Sequence, residues 1–279
     1  MASFDWSAFT HEQKRRAFGV VLTIVTVLVI GASLVDGDDG GSDAAAPDAS
    51  PSTTAASTTT TIAYRAPSAA EPLRILVAGD SLVGWIAPAL EAELAGQPVQ
   101  VIEDWKGSSG LVRPDFFDWP ARIEADVAEH DPEVVIVGFG GNDAQNLLVD
   151  GELLERGSPG WQEEYQRRVA EVLDLVEGPG RTLYWIGMPL TEATGIEEVR
   201  PAIAGAVEAE VAERPWAHAV DTMDVLAPDG TYQVFLPGPD GEEVRVRADD
   251  GVHPSPEGGR FIVRSFLDEV LAERGLTSS

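Results

Sequence analysis

The sequence predicts an α/β domain of three layers, helix–sheet–helix, around one central parallel sheet. Three observations carry this. Apolar runs of strand length alternate with amphipathic runs of helix length from Leu73 onward, the signature of parallel strands joined by crossover helices. The strand-length runs are dense in Val, Ile and Leu, which suits a sheet covered on both faces. Polar, glycine-containing segments follow the strands, at the carboxyl edge where open parallel sheets bind ligands.

Strands are expected at Leu73–Ala78, Val99–Glu103, Val134–Gly138, Thr182–Ile186 and His218–Val220. Helices are expected near Val83–Leu94, Trp119–His130, Pro159–Val176, Glu197–Glu213 and Pro256–Glu273. Two of them have explicit starts, Ser158-Pro159 and Ser255-Pro256: a serine to cap the free N–H groups, then a proline whose missing N–H costs nothing in the first turn. Residues Tyr232 to Val246 break the alternation. Two short apolar runs there flank Pro237-Gly238-Pro239-Asp240-Gly241, a β-hairpin inserted ahead of the last helix.

The first quarter of the chain reads differently. From Ala17 to Val35 it is apolar apart from threonines, a serine and glycines, preceded by Lys14, Arg15 and Arg16 and followed by Asp36, Asp38 and Asp39. A helix of about 19 residues spans a hydrocarbon core of roughly 30 Å. The flanking charges place the N-terminus in the cytoplasm and the remainder outside. A cleaved signal peptide ending near Gly31-Ala32-Ser33 is the alternative, with a secreted product, although its apolar region is long for that role. A lipoprotein is excluded, because the sequence has no cysteine. Residues 36–71 are Gly, Asp, Ala, Ser, Thr and Pro with little to bury, and read as a disordered tether. The expected division is therefore a cytoplasmic segment (1–16), a transmembrane signal anchor (17–35), a linker (36–71) and a folded domain (72–279).

A formal net charge of -28 repels nucleic acid, so DNA or RNA is not the expected partner. The absence of cysteine also removes disulfides and thiolate metal sites.

Four segments at the predicted sheet edge carry chemistry: Gly79-Asp80-Ser81, Trp105-Lys106-Gly107-Ser108-Ser109-Gly110, Phe139-Gly140-Gly141-Asn142-Asp143 and Asp249-Asp250-Gly251-Val252-His253. Ser81 is a candidate nucleophile, weak until a base takes its proton. His253 is the natural base, since imidazole titrates near neutrality. Asp250 is spaced to orient that imidazole. The N–H of Ser81, a glycine N–H of the second loop and the Asn142 amide are candidate donors to a tetrahedral oxyanion.

These segments, in this order, resemble blocks I, II, III and V of the SGNH (GDSL) hydrolases. More narrowly, Ser108-Ser109-Gly110-Leu111-Val112-Arg113-Pro114-Asp115 with Phe117-Asp118-Trp119-Pro120 is similar to a bacterial subgroup known as domain of unknown function 459. The resemblance covers about residues 72–275. It implies a flavodoxin-like three-layer fold, a Ser81–His253–Asp250 triad, and an oxyanion hole of Ser81, Asn142 and a block II glycine. Gly110 is favoured for that glycine over Gly107.

Each segment also has a plainer reading. Asp80 and Ser81 can cap a helix. Asn142 and Asp143 can close a turn. Asp249, Asp250 and His253 can hold a metal, though no second histidine cluster supports it, and neither a metal nor a cofactor is expected. His11, His130 and His218 lack an accompanying acid pattern and read as surface or structural residues. Trp105, Phe116, Phe117 and Trp119 read as core or, alternatively, as an aromatic platform beside the nucleophile. Arg113 is a candidate anion contact or a surface ion pair.

The expected function is a membrane-anchored extracytoplasmic serine esterase acting on small esters or O-acylated envelope carbohydrate. An O-acyltransferase using the same serine is the alternative enzyme. A non-catalytic surface binding protein is the alternative outside catalysis. No protein partner is legible in the sequence.

Overall fold

A computed structural model of the chain describes residues 64–277. The predicted anchor over 17–35, and the linker as far as residue 63, lie outside the described residues. Among those described, no helix is long and apolar enough to cross a membrane. The last stretch read as linker, from Tyr64, already holds contacts with the domain. The Arg274 guanidinium stands 3.9 Å from the centre of the Tyr64 ring, and Arg65 Nε donates to Glu133 at 2.9 Å. A composition argument counts apolar side chains and overlooks such polar anchors.

Five parallel strands form the central sheet: β1 (Leu73–Gly79), β2 (Val99–Trp105), β3 (Val134–Gly138), β6 (Thr182–Ile186) and β7 (Ala217–Val220). Their spatial order is β2-β1-β3-β6-β7. The chain therefore leaves β1 to one side and later returns to its other side at β3. That reversal opens a crevice at the carboxyl ends of β1 and β3. In the register, Gly79 lies opposite both Trp105 and Gly138, so the three strand ends are level.

Alternation along β1 and β3 divides the core between two faces. Leu76, Ala78, Val135 and Val137 pack with Trp119, Trp161 and Tyr165. Ile75, Val77, Val134 and Ile136 pack on the other side with Ile86, Leu90, Ile262 and Phe266. The first face is covered by α2 (Trp119–His130), α3 (Pro159–Val176) and α5 (Arg200–Ala212); the second by α1 (Ile86–Glu93) and α7 (Pro256–Glu273). Each fully buried large side chain contributes roughly 1.5–3 kcal/mol. The predicted α/β fold with a central parallel sheet is thus present.

Five local departures from expectation stand out. The helix expected from Val83 begins only at Ile86, because Ser81–Val83 forms a separate 3₁₀ turn capped by the Asp80 side chain. The helix expected over Glu197–Glu213 is two helices, α4 (Thr194–Glu197) and α5. Pro201 has no N–H to bond the carbonyl four residues back, so one helix cannot run through it. A hairpin that was not expected joins β4 (Leu147–Val149) to β5 (Glu152–Leu154). Its turn residues Asp150 and Gly151 have φ of 50° and 85°, the left-handed pair that a two-residue hairpin turn requires. The expected hairpin before the last helix is present as β8 (Phe235–Pro237) and β9 (Glu243–Arg245), shorter than its apolar runs suggested. A short helix, α6 (Thr222–Leu226), was not expected; the Asp221 side chain caps it.

Candidate functional site

Ser81 is the second residue after β1, following Asp80. Asp80, not Ser81, supplies the cap: its Oδ1 accepts the Leu82 N–H at 2.8 Å. The Ser81 side chain is thereby free of the capping role and reaches elsewhere. Its Oγ lies 2.7 Å from His253 Nε2, across 172 residues of sequence.

His253 is held by the turn that precedes α7. Asp250 Oδ1 accepts the N–H groups of Val252 at 2.9 Å and His253 at 3.0 Å, a side-chain-closed turn. Its Oδ2 lies 2.7 Å from His253 Nδ1. Burial pushes the Asp250 carboxyl up, but the His253 and Val252 N–H groups and the His253 ring outweigh this and bring it down to about 2. An ionised carboxylate only accepts, so Nδ1 carries the ring proton and Nε2 is left to accept from the Ser81 hydroxyl. The turn is tied to the neighbouring loop by the Glu192 N–H, which donates to the Gly251 carbonyl at 2.8 Å.

The remaining two loops are braced by buried carboxylates. Asp80 Oδ2 accepts the N–H groups of Gly140 and Gly141, at 3.0 and 2.9 Å, joining the β1 exit to the β3 exit. Burial pushes the Asp80 carboxyl up to about 7, the Asp143 charge adds to this, and its three N–H donors oppose it. Asp143 in turn accepts from Leu111 and Val112 of the second loop, at 3.2 and 3.0 Å, and from the Tyr165 hydroxyl at 2.9 Å. Burial pushes its carboxyl up as well, against those donors and the Arg168 charge. Asn142, between these braces, donates one amide N–H to the Ser109 carbonyl at 2.9 Å. An amide has two N–H groups, so this bond fixes the side chain and leaves a second donor.

The two candidate glycines differ sharply. A Cβ on residue 110 would lie 2.1 Å from Asp143 Oδ1, whereas one on residue 107 would meet only a Trp105 ring carbon at 3.6 Å. Only position 110 demands glycine, and it is the buried one of the two.

The structure brings Ser81, His253 and Asp250 into one hydrogen-bonded chain and joins Asn142 to the Gly110 loop through the Ser109 carbonyl. The aromatic cluster divides. Trp119 is core, its indole N–H donating to Ser109 Oγ at 2.9 Å, while Trp105 and Phe116 are 42% and 51% exposed. Arg113 forms a surface pair with Asp115 at 2.8 Å, and Asp249 is turned towards Arg245. His218 stacks on Tyr184, away from these loops, with a centroid separation of 4.9 Å. Tyr165 and the bracing role of Asp143 were not foreseen. The signal for Tyr165 is its buried helix face: a tyrosine placed there needs a partner for its hydroxyl.

A family model described as "Protein of unknown function (DUF459)" matches residues 74–269. No curated protein matches the sequence. Among solved structures, a carbohydrate acetylesterase family member from Sinorhizobium meliloti is 15% identical, covering 73% of this chain and 99% of its own, with a TM-score of 0.51. LAE5, an alpha/beta hydrolase enzyme from the metagenome of Lake Arreo, Spain, is 17% identical, covering 78% and 100%, with a TM-score of 0.51. Axe2, an acetylxylan esterase from Geobacillus stearothermophilus solved as a catalytic mutant, is 18% identical, covering 74% and 96%, with a TM-score of 0.49. At these identities the likeness is one of fold.

Proposed function

Since the chain belongs to the DUF459 family, whose model takes in every residue of this cluster, we propose that it is an SGNH-type serine esterase that hydrolyses carboxylic esters through an acyl-enzyme. The observation that carries the reading is the relay of two 2.7 Å contacts, Ser81 Oγ to His253 Nε2 and His253 Nδ1 to Asp250 Oδ2. A serine whose proton already points at an oriented imidazole can attack a carbonyl as that proton leaves.

In the proposed reaction, Ser81 Oγ bonds to the ester carbon and its proton passes to His253 Nε2. Asp250 stabilises the imidazolium. The oxyanion is met by the Ser81 and Gly110 N–H groups and by the second N–H of Asn142. His253 then gives its proton to the departing alcohol oxygen. A water deprotonated by His253 attacks the acyl carbon, and the acid leaves as Ser81 is reprotonated.

The proposed substrate is an O-acyl group on envelope carbohydrate, with the domain held outside the cytoplasmic membrane by the anchor that the sequence predicts over 17–35. Two observations support a sugar ester. The S. meliloti protein that shares the fold is named for carbohydrate acetylester chemistry. Trp105, partly exposed, lies against the Ser81–Gly84 turn, with ring carbons 3.5–3.6 Å from where a Cβ on residue 84 would be. An indole face placed there offers a sugar ring a stacking surface beside the nucleophile.

The test is hydrolysis of p-nitrophenyl acetate and of acetylated xylan by the full chain and by Ser81→Ala. Loss of both activities with Ser81 is expected. Equal rates with and without it would sink the mechanism.

A further inference from the structure

Arg247 is the one arginine among the described residues whose exposure is 0%, and its Nε, Nη1 and Nη2 all lack a hydrogen-bond partner among those residues. It lies beside the catalytic turn. Its backbone bridges Pro254, and the Ala248 N–H donates to the His253 carbonyl at 3.0 Å. Side chains alternate across such a ribbon, so Arg247 shares a face with Pro254, opposite the one that carries His253. The guanidinium therefore stands behind the turn, with its Cζ 5.0 Å from the centre of the Tyr232 ring.

Among the described residues no carboxylate forms an ion pair with it. Glu197, the acid near enough to be felt, is already engaged by the Thr191 N–H and by Arg200, both at 2.7 Å. Burial pulls the guanidinium down from its usual range, yet an arginine starts so high that it keeps its charge at neutral pH. A buried charge of this kind is normally paired, and a planar fork of N–H groups is matched best by a carboxylate or phosphate. Part of its cover is Tyr232, which is half-buried, lies outside any strand or helix, and meets the guanidinium through its ring.

We propose that Arg247 forms an anion-binding site behind the Asp250–His253 turn, gated by Tyr232, that takes a carboxylate or phosphate group. That group is carried either by the acylated glycan or by a free small anion. The second half of the proposal rests on the esterase reading; the binding site itself does not.

Calorimetric titration of the full chain with D-glucuronate and with inorganic phosphate tests it. Saturable binding of at least one is expected, weakened tenfold or more in Arg247→Gln and strengthened several-fold in Tyr232→Ala. Should Arg247→Gln fail to fold, the Tyr232→Ala arm decides alone. No binding in the wild type together with none in Tyr232→Ala would overturn the site, as would binding unchanged by either substitution. Turnover then separates the sources. Phosphate that competes with acetylated glucuronate but not with p-nitrophenyl acetate marks a substrate-borne anion; phosphate that changes p-nitrophenyl acetate turnover marks a free one. If the chain hydrolyses no ester but binds these anions through Arg247, the esterase reading fails and the site stands.

Discussion

Asp143 Oδ1 stands 2.1 Å from the point where a Cβ on residue 110 would sit, so the second loop passes the third with room for a hydrogen and nothing larger. Gly110→Ala must push away a buried carboxylate that holds two N–H groups and a tyrosine hydroxyl. Overpacking of this kind costs about 1–3 kcal/mol, and misplacing an oxyanion donor costs on the order of 10²–10³ in kcat. Denaturant unfolding and ester turnover of Gly110→Ala and Gly107→Ala check this. Gly107→Ala is expected to match the wild type, and equal effects at both positions would remove Gly110 from its proposed role.

Ser81, His253 and Asp250 are expected to fail as a unit. Ser81→Ala and His253→Ala should each lower kcat by roughly 10⁴–10⁶, and the double variant by no more than either single. Asp250→Asn leaves a side chain of the same shape but disturbs the ring tautomer, with an expected loss of about 10²–10⁴. Additive losses in the Ser81/His253 pair, measured as kcat/KM, would show that the two act separately.

Asp80 ties stability to pH with a defined sign. Its carboxyl is raised to about 7 from an ordinary 3.8, so between these values the folded state keeps a proton that the unfolded chain has lost. The stabilisation is fully present below the unfolded value and is lost as pH rises through about 7. For this buried group the difference is on the order of 1–4 kcal/mol across the window. Asp80→Asn should be less stable than the wild type, since one amide oxygen replaces two acceptors, and its stability should fall less over pH 4–7 than the wild type's does, the raised carboxyls of Asp126 and Asp143 remaining. Parallel stability–pH curves for the two proteins would refute the assignment.

Tyr165→Phe removes one donor from Asp143 and leaves the ring stack with Trp161 in place. A buried carboxylate short of a donor costs about 1–3 kcal/mol. Because Asp143 positions the Gly110 loop, kcat should also fall several-fold with KM little changed. A stability loss with unaltered kcat would show that the brace does not reach the site.

The sheet and its long helices were legible because their signals are local. Asp118-Trp119-Pro120, Ser158-Pro159 and Ser255-Pro256 start α2, α3 and α7 at the expected residues, each through a side-chain cap and a proline in the first turn. Asp250 and His253 were legible for the same reason, being closed into one turn by a three-residue spacing. The β4–β5 hairpin carried its Asp-Gly signal but too short an apolar alternation on either side to be read. The braces were not legible at all. That Asp143 meets Leu111, or that Arg247 ends without a hydrogen-bond partner among the described residues, depends on which loops the sheet order sets side by side, and no spacing along the chain encodes it.

Ser81 follows the first strand of the domain, and His253 precedes its last helix. During synthesis the serine leaves the ribosome early and spends most of translation with no base within reach. The pair can form only once synthesis has reached His253, whose turn leads directly into α7, the helix that buries Ile262, Val263 and Phe266. On the proposed mechanism, a chain that stops short of residue 253 is then not a weaker catalyst but an inert one, and Ser81 stays without its base until the rest of the domain is complete.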